Sequence, residues 1–278
     1  MADDQSQLER WVTFATRIVA PVTLISGLLF YFGYVSARAQ YEYFGIDVDT
    51  IGLRTQDYVM RSPQPLLVPL LGVTLLAVAG LLLHNAIQPT ATTIRRAKIV
   101  TIALLLLGVV GLIGYPLLGH IPYYALVVPA VIGLSAATLA YLSYYGGKAA
   151  GLTPQYMLLG LLAVVTTICA FWATATTAQY SGRGLAKSDA EDLKQFPVVI
   201  LDTKERLQLR SPGIEETSLR TAGTEQTFNY RYRGLRLLVV GQNRLFLVPQ
   251  QWSASDTTLV VPLDGSIRVQ FQFQNDPP

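Results

Sequence analysis

Five stretches of this chain run for 18 residues or more without a single Asp, Glu, Lys or Arg: Ile18–Ala37, Leu66–Leu83, Ile99–Leu118, Ile121–Tyr145 and Tyr156–Ala178. Each must find an apolar surrounding. A hydrocarbon layer about 30 Å thick takes roughly 20 helical residues at 1.5 Å each, so all five read as spanning helices. The third and fourth are parted only by Gly119-His120-Ile121-Pro122. One helix from Ile99 to Tyr145 would be about 70 Å long, more than twice that layer, so a tight hairpin at these two breakers is expected. Composition agrees. Of the 278 residues, 51% are hydrophobic and 14% charged, with a mean hydropathy of +0.37, against roughly a quarter charged in a soluble domain. The apolar run after the 17-residue N-terminal segment is long, and no convincing cleavage site follows it, so it reads as a retained helix rather than a secretory signal.

From about Gln195 the grammar changes. "FPVVIL", "LQL", "TFNYRYRGLRLLVV", "RLFLVP", "TTLVVP" and "SIRVQFQF" are short and rich in β-branched or aromatic residues. Turn signals separate them at Ser211-Pro212-Gly213, Gly241-Gln242-Asn243 and Asp264-Gly265. In the last run Val269, Phe271 and Phe273 share one face and Gln270, Gln272 and Gln274 the other, the period of a half-buried strand. The expected fold class is an α-helical integral membrane bundle of about five transmembrane helices, followed by a small all-β C-terminal domain, a sandwich or barrel. The expected boundaries are an N-terminal segment 1–17, a helical domain 18–178 with a loop at 38–65, a linker or short amphipathic helix at 179–194, and the β-domain at 195–278.

Five spans place the two ends of the chain on opposite sides. Basic residues near the spans divide evenly: Arg10, Arg17, Arg95, Arg96, Lys98 and Lys148 on the N-terminal side, Arg38, Arg54, Arg61, Arg183, Lys187 and Lys194 on the other. The density of Arg95-Arg96-Lys98 beside a helix end, and the weakening of the positive-inside rule for sizeable domains, break the tie. The expectation is a multi-pass protein of the cell membrane with a cytoplasmic N-terminus and the β-domain outside.

The loop "YEYFGIDVDT" invites two readings. Asp47 and Asp49 have the spacing with which some sugar transferases hold a divalent cation. Such a site would also need substrate phosphates and a nucleotide-binding fold, which the pattern lacks. The favoured reading is a membrane-surface segment, with Tyr41, Tyr43, Phe44 and Tyr58 at headgroup height and the aspartates capping helices. Thr55-Gln56-Asp57 reads as a further helix start, ending at the breakers Pro63 and Pro65.

Within the spans, Gly108, Gly111 and Gly114 recur every third residue and would let a neighbouring helix approach. The fifth span carries Thr166, Thr167, Ala170, Ala173, Thr174, Thr176 and Thr177. Helix packing, with threonines bonding back to their own carbonyls, is favoured over a hydroxyl-lined path. Pro21, Pro116 and Pro129 are candidate kinks. His84 and His120 fall at span ends, away from the midplane where a proton relay would sit.

In the β-domain Arg231 and Arg233 share a strand face, opposite Tyr230 and Tyr232. Residues 195–278 hold nine Lys/Arg against eight Asp/Glu, which argues against a nucleic-acid binder. A solvated face is the default for the two arginines and a headgroup- or partner-facing stripe the runner-up. The single cysteine, Cys169, allows no disulfide within the chain. No HExxH, P-loop or nucleophile elbow is present, so neither a cofactor nor a metal site is expected.

"YFGYVSARAQYEYFGIDVDTIGLRTQDYVMRS" and "YRYRGLRLLVVGQNRLFLVPQQW" resemble a pattern seen in uncharacterised actinobacterial polytopic membrane proteins. The resemblance implies the same layout of helices followed by a small β-domain, and carries over no activity and no residue role. The functional expectation is a non-enzymatic membrane protein whose β-domain binds a partner or ligand, as a sensor, an anchor or a subunit of a membrane assembly. Its expected partners are the lipid bilayer and either a protein or a second copy of the chain. A channel or uncoupled transporter using the fifth span is the alternative, and an enzyme on a lipid-linked substrate using Asp47 and Asp49 is the weakest.

Overall fold

The computed structural model describes residues 14, 17, 19–87, 90–149, 155–209, 211–219, 227–253 and 255–272. Nearly all of the N-terminal segment 1–17, and Phe273 and Gln274 of the last alternating run, lie outside them. Among the described residues eight α-helices are followed by six strands: α1 (Ala20–Tyr43), α2 (Val48–Ile51), α3 (Thr55–Arg61), α4 (Pro63–Ile87), α5 (Ala91–Ile113), α6 (Tyr115–Leu118), α7 (Tyr124–Ala149), α8 (Tyr156–Glu191), β1 (Val198–Thr203), β2 (Glu215–Ser218), β3 (Tyr230–Val240), β4 (Arg244–Pro249), β5 (Leu259–Pro262) and β6 (Ile267–Gln272). Five of the helices, α1, α4, α5, α7 and α8, are long and apolar enough to cross a membrane. The chain forms two compact units, one built from Met1–Arg61 with Gln179–Pro278, the other from Ser62–Ala178.

In the helical unit α4 is apolar all round and exposes its leucines, the pattern of a helix whose solvent is hydrocarbon. The hairpin between the third and fourth spans is present. Gly114 closes α5, α6 is a single turn, and the Tyr124 hydroxyl donates to the Gly111 carbonyl at 2.6 Å. Two of the three predicted packing glycines meet α7: a Cβ at Gly108 would lie 2.6 Å from Ile132 Cγ1, and one at Gly111 would lie 3.4 Å from Val128. Gly114 instead faces its own turn, near Val110 and Leu118. Gly133 of α7 provides a close approach to α8 that the spacing did not flag, with a Cβ there 2.9 Å from that of Cys169.

The threonines of α8 bond back as the packing reading expects. Thr166 donates to Leu162, Thr167 to Ala163, Thr174 to Ala170, Thr176 to Trp172 and Thr177 to Ala173, at 2.8 to 3.1 Å. Ala170 itself is exposed. Pro129 does sit inside a helix, whereas Pro21 and Pro116 occupy first turns, where a missing N–H breaks no hydrogen bond. His84 Nδ1 lies 2.5 Å from the Tyr141 hydroxyl, and its ring meets that of Tyr145 edge-on.

The second unit is discontinuous in sequence. The first half of α1 exposes Val22, Leu24 and Ile25, and from Phe32 onward the helix is largely buried. The stretch 179–194 is no linker: α8 continues unbroken to Glu191. Its buried face there is Gly182, Ala186 and Asp189, at helical spacing. Small residues permit backbone contact, since a Cβ at Gly182 would lie 2.1 Å from the Ser36 carbonyl oxygen of α1. A Cβ at Gly33 would lie 1.9 Å from the Tyr58 carbonyl oxygen of α3. A polar chain crosses the same helices. Arg61 donates to Gln40 Oε1 and the Tyr41 hydroxyl, and buried Asp189 accepts from Gln40 at 2.8 Å and Gln195 at 3.1 Å.

All six strands belong to one antiparallel sheet, ordered β5-β4-β3-β1-β6 with β2 also on β3. β3 changes partner at Gly234, pairing with β2 before it and β4 after it. Gly234 has φ +82, and a Cβ there would lie 2.0 Å from the Gly213 carbonyl oxygen, so only glycine fits. β4 is buried on both faces. Leu245 and Leu247 join Val199, Leu201, Tyr232, Leu235 and Val261 in one core. Phe246 and Val248 join a second core built with Tyr41, Phe44, Ile46, Val48, Ile51 and Tyr58. The segment predicted as a membrane-surface loop is therefore the second layer of the β-domain.

Candidate functional site

α2 exists because Asp47 caps it, its carboxylate accepting from the Asp49 amide, while Gly52 closes the turn at φ +70. That four-residue helix presents Val48 and Ile51 to the sheet. It is pinned by the Gln242 amide donating to the Ile51 carbonyl at 3.3 Å and by the Thr258 hydroxyl donating to the Phe44 carbonyl at 2.7 Å. Beside this joint, all within the discontinuous unit, opens a cleft of about 970 Å³. Its walls come from residues 42–50, from Lys187–Glu191 at the end of α8, and from the β4–β5 loop.

Two of the aromatic residues at the cleft are in contact: Phe44 and Trp252 meet edge-on, 5.2 Å between ring centroids. Four carboxylates line the cleft, Glu42, Asp47, Glu191 and Asp256, against one ammonium, Lys187. The Asp256 carboxylate accepts from the Ser253 amide at 2.8 Å and hydroxyl at 2.7 Å. These bonds hold its pKa below the ordinary carboxylate value, keeping it charged at neutral pH. Glu42 shares its charge with Arg38, 2.6 Å away. The lining thus carries net negative charge beside aromatic side chains, and the volume is that of small-molecule sites.

Of the predicted interface residues, Tyr43, Phe44 and Asp47 line this cleft. Tyr41, Phe44 and Tyr58 are not headgroup anchors. They are 2%, 1% and 6% exposed, because the second face of the sheet offers them fuller burial than an interface would. Tyr58 packs against Phe30 and Tyr34. The two aspartates of the metal-like spacing are engaged separately, Asp47 as the cap and Asp49 with the Tyr34 hydroxyl at 3.2 Å. Among the described residues no three His, Cys, Asp or Glu side chains gather where they could hold a metal ion.

Arg231 is neither a solvated nor a partner-facing group but a structural one. It clamps buried Asp202 from the neighbouring strand, Nε at 2.8 Å and Nη2 at 3.0 Å, while Arg268 reaches the same carboxylate from the other side. The hydrogen bond from Arg231 above all holds the Asp202 pKa below its ordinary value. Arg233, on the same strand, is exposed.

Trp252, Asp256, Lys187 and Glu191 were missed as lining residues. The signal for Trp252 and Asp256 was a lone tryptophan in the polar run "QQWSASDTT" between two strands, but nothing local ties it to Tyr43 two hundred residues earlier. Comparison of the chain with protein-family models, with curated proteins and with solved structures finds no match.

Proposed function

We propose that this chain is a multi-pass membrane protein that binds a ligand in the cleft between residues 42–50 and the β4–β5 loop, acting as a sensor, an anchor or a subunit rather than an enzyme. The observation that carries the reading is the cleft itself, lined by the paired rings of Phe44 and Trp252 together with four carboxylates and one lysine. Such a lining favours a ligand that is cationic and partly apolar, because rings and carboxylates both attract a desolvated cation. The separate engagement of Asp47 and Asp49 supports a binding role over catalysis. The back-bonded threonines of α8 support packing over a polar path.

The test uses purified full-length protein with Trp11 and Trp172 replaced by Phe, so that Trp252 alone reports, titrated with spermidine and with choline. A saturable fluorescence change for either cation, weakened severalfold by Glu191→Gln, is expected. If neither cation saturates below about 10 mM, or if Glu191→Gln binds as the parent does, the cleft reading fails.

Sidedness is part of the same proposal, with the N-terminus cytoplasmic and the sheet outside. In a Cys169→Ala background, Ser255→Cys on the exposed β4–β5 loop is expected to react with a membrane-impermeant maleimide in intact cells. Labelling only after lysis would reverse the orientation.

A further inference from the structure

A second cavity, of about 420 Å³, lies between α1 and α8 and shares only Glu42 with the lining of the cleft described above. It is lined by Tyr31, Tyr34, Val35, Arg38, Ala39 and Glu42 of α1 and by Gln179 and Arg183 of α8. Both helices reach it at the same chemical transition. On α1 the exposed apolar residues Val22, Leu24 and Ile25 precede Tyr31. On α8, Gln179 is the first residue after the apolar run 156–178.

The helices touch through backbone at Gly182 and Ser36, and this contact fixes the spacing of the cavity walls. Two guanidinium groups enter the cavity. Arg38 is paired with Glu42, its Nε 2.6 Å from Oε1. Arg183 is exposed and has no acidic partner among the described residues. With Glu42 counted, the lining therefore keeps one positive charge in excess, and two tyrosines line the same cavity. Asp49, which accepts from the Tyr34 hydroxyl, is not among the lining residues.

We propose that this cavity binds the phosphate of an anionic glycerophospholipid, with Arg183 as its principal cation and the acyl chains lying along the exposed apolar half of α1. A planar guanidinium presents paired donors to phosphate oxygens. Tyrosine suits the height at which headgroups meet hydrocarbon, and a basic pocket between two emerging helices is a physical recipe for headgroup recognition. The proposal rests on reading α1 and α8 as spans.

The experiment measures thermal unfolding of the purified full chain in a maltoside detergent. The additives are dioleoylphosphatidylglycerol, dioleoylphosphatidylcholine, dioleoylglycerol or inorganic phosphate, each added separately. Phosphatidylglycerol is expected to raise the Tm with a saturable dependence, phosphatidylcholine to do so more weakly, and dioleoylglycerol not at all. Arg183→Gln is expected to keep the lipid-free Tm and to weaken the phosphatidylglycerol effect about tenfold, the loss of one charge-assisted contact. Arg244→Gln, at the exposed first residue of the otherwise buried β4, is expected to respond as the parent does.

Equal phosphatidylglycerol shifts in the parent and in Arg183→Gln, or an equal shift with dioleoylglycerol, would overturn the site. Inorganic phosphate reproducing the shift in an Arg183-dependent way would overturn the lipid as its source. Recovery of the chain from lysates in the soluble fraction without detergent would defeat the membrane reading instead, whatever the titrations show.

Discussion

Asp202 sits on β1 with an arginine opposite it on each side, Arg231 on β3 and Arg268 on β6. A buried carboxylate so clamped depends on its charge. Asp202→Asn leaves two guanidinium groups without their counterion, and about 3 kcal/mol of destabilisation at pH 7 is expected. The folded pKa lies below the unfolded one, so the stabilisation is fully present above about pH 5 and is lost as pH falls through the carboxylate range. Denaturant unfolding of parent and variant at pH 7 and pH 3 should show the gap closing at the lower pH.

Glycines give a second contrast at this scale. Gly182→Ala drives a methyl into the Ser36 carbonyl, and about 2 kcal/mol of destabilisation is expected. Gly184→Ala, two residues on, meets open space and should stabilise the helix by roughly 0.5–1 kcal/mol. Thermal melts of the two variants should move in opposite directions. The bare Gly-x-Gly spacing carries no hint of this difference, which depends on which helix face meets α1.

Elements were legible in proportion to how strongly their own residues dictate them. The five apolar runs announced five helices, and five of the six runs after Gln195 announced strands; "LQL" forms none, and the polar β2 was not announced because it offers neither alternation nor β-branched apolar residues. The extension of α8 was harder to read because its buried face is Gly182, Ala186 and Asp189 rather than leucine, so hydropathy alone suggests a solvated stretch. Its importance is testable through helical phase. One alanine inserted between Lys187 and Ser188 turns Asp189 and Leu193 by about 100° away from their partners. Limited proteolysis is expected to cut the inserted protein within the sheet unit under conditions where the parent resists. Intact resistance would mean that the phase of α8 is immaterial. β4 was legible as a strand from "RLFLVP", a nearly continuous apolar run, and such runs mark strands covered on both faces. What covers it could not be read locally.

At the scale of the whole molecule, the β-domain that looks contiguous in sequence is not complete from residue 195 onward. Leu238, Phe246 and Val248 share a core with residues 37–58. An excised fragment 195–278 exposes that face, so its expected behaviour is association or a broad, non-cooperative melt, measured by gel filtration and circular dichroism. Co-expression with residues 20–61 is expected to restore a cooperative transition. A monomeric, sharply melting fragment 195–278 would show that the second layer is dispensable.

The discontinuity also sets a schedule for biosynthesis. Ile51 leaves the ribosome nearly two hundred residues before Phe246, an interval of roughly 10–40 s at ordinary elongation rates. Throughout it Phe44, Ile46, Val48 and Ile51 have no sheet to cover them. The cell must therefore shelter a half-made domain while four more apolar helices are synthesised, and a ribosome stalled in that window would display those four apolar side chains without their sheet.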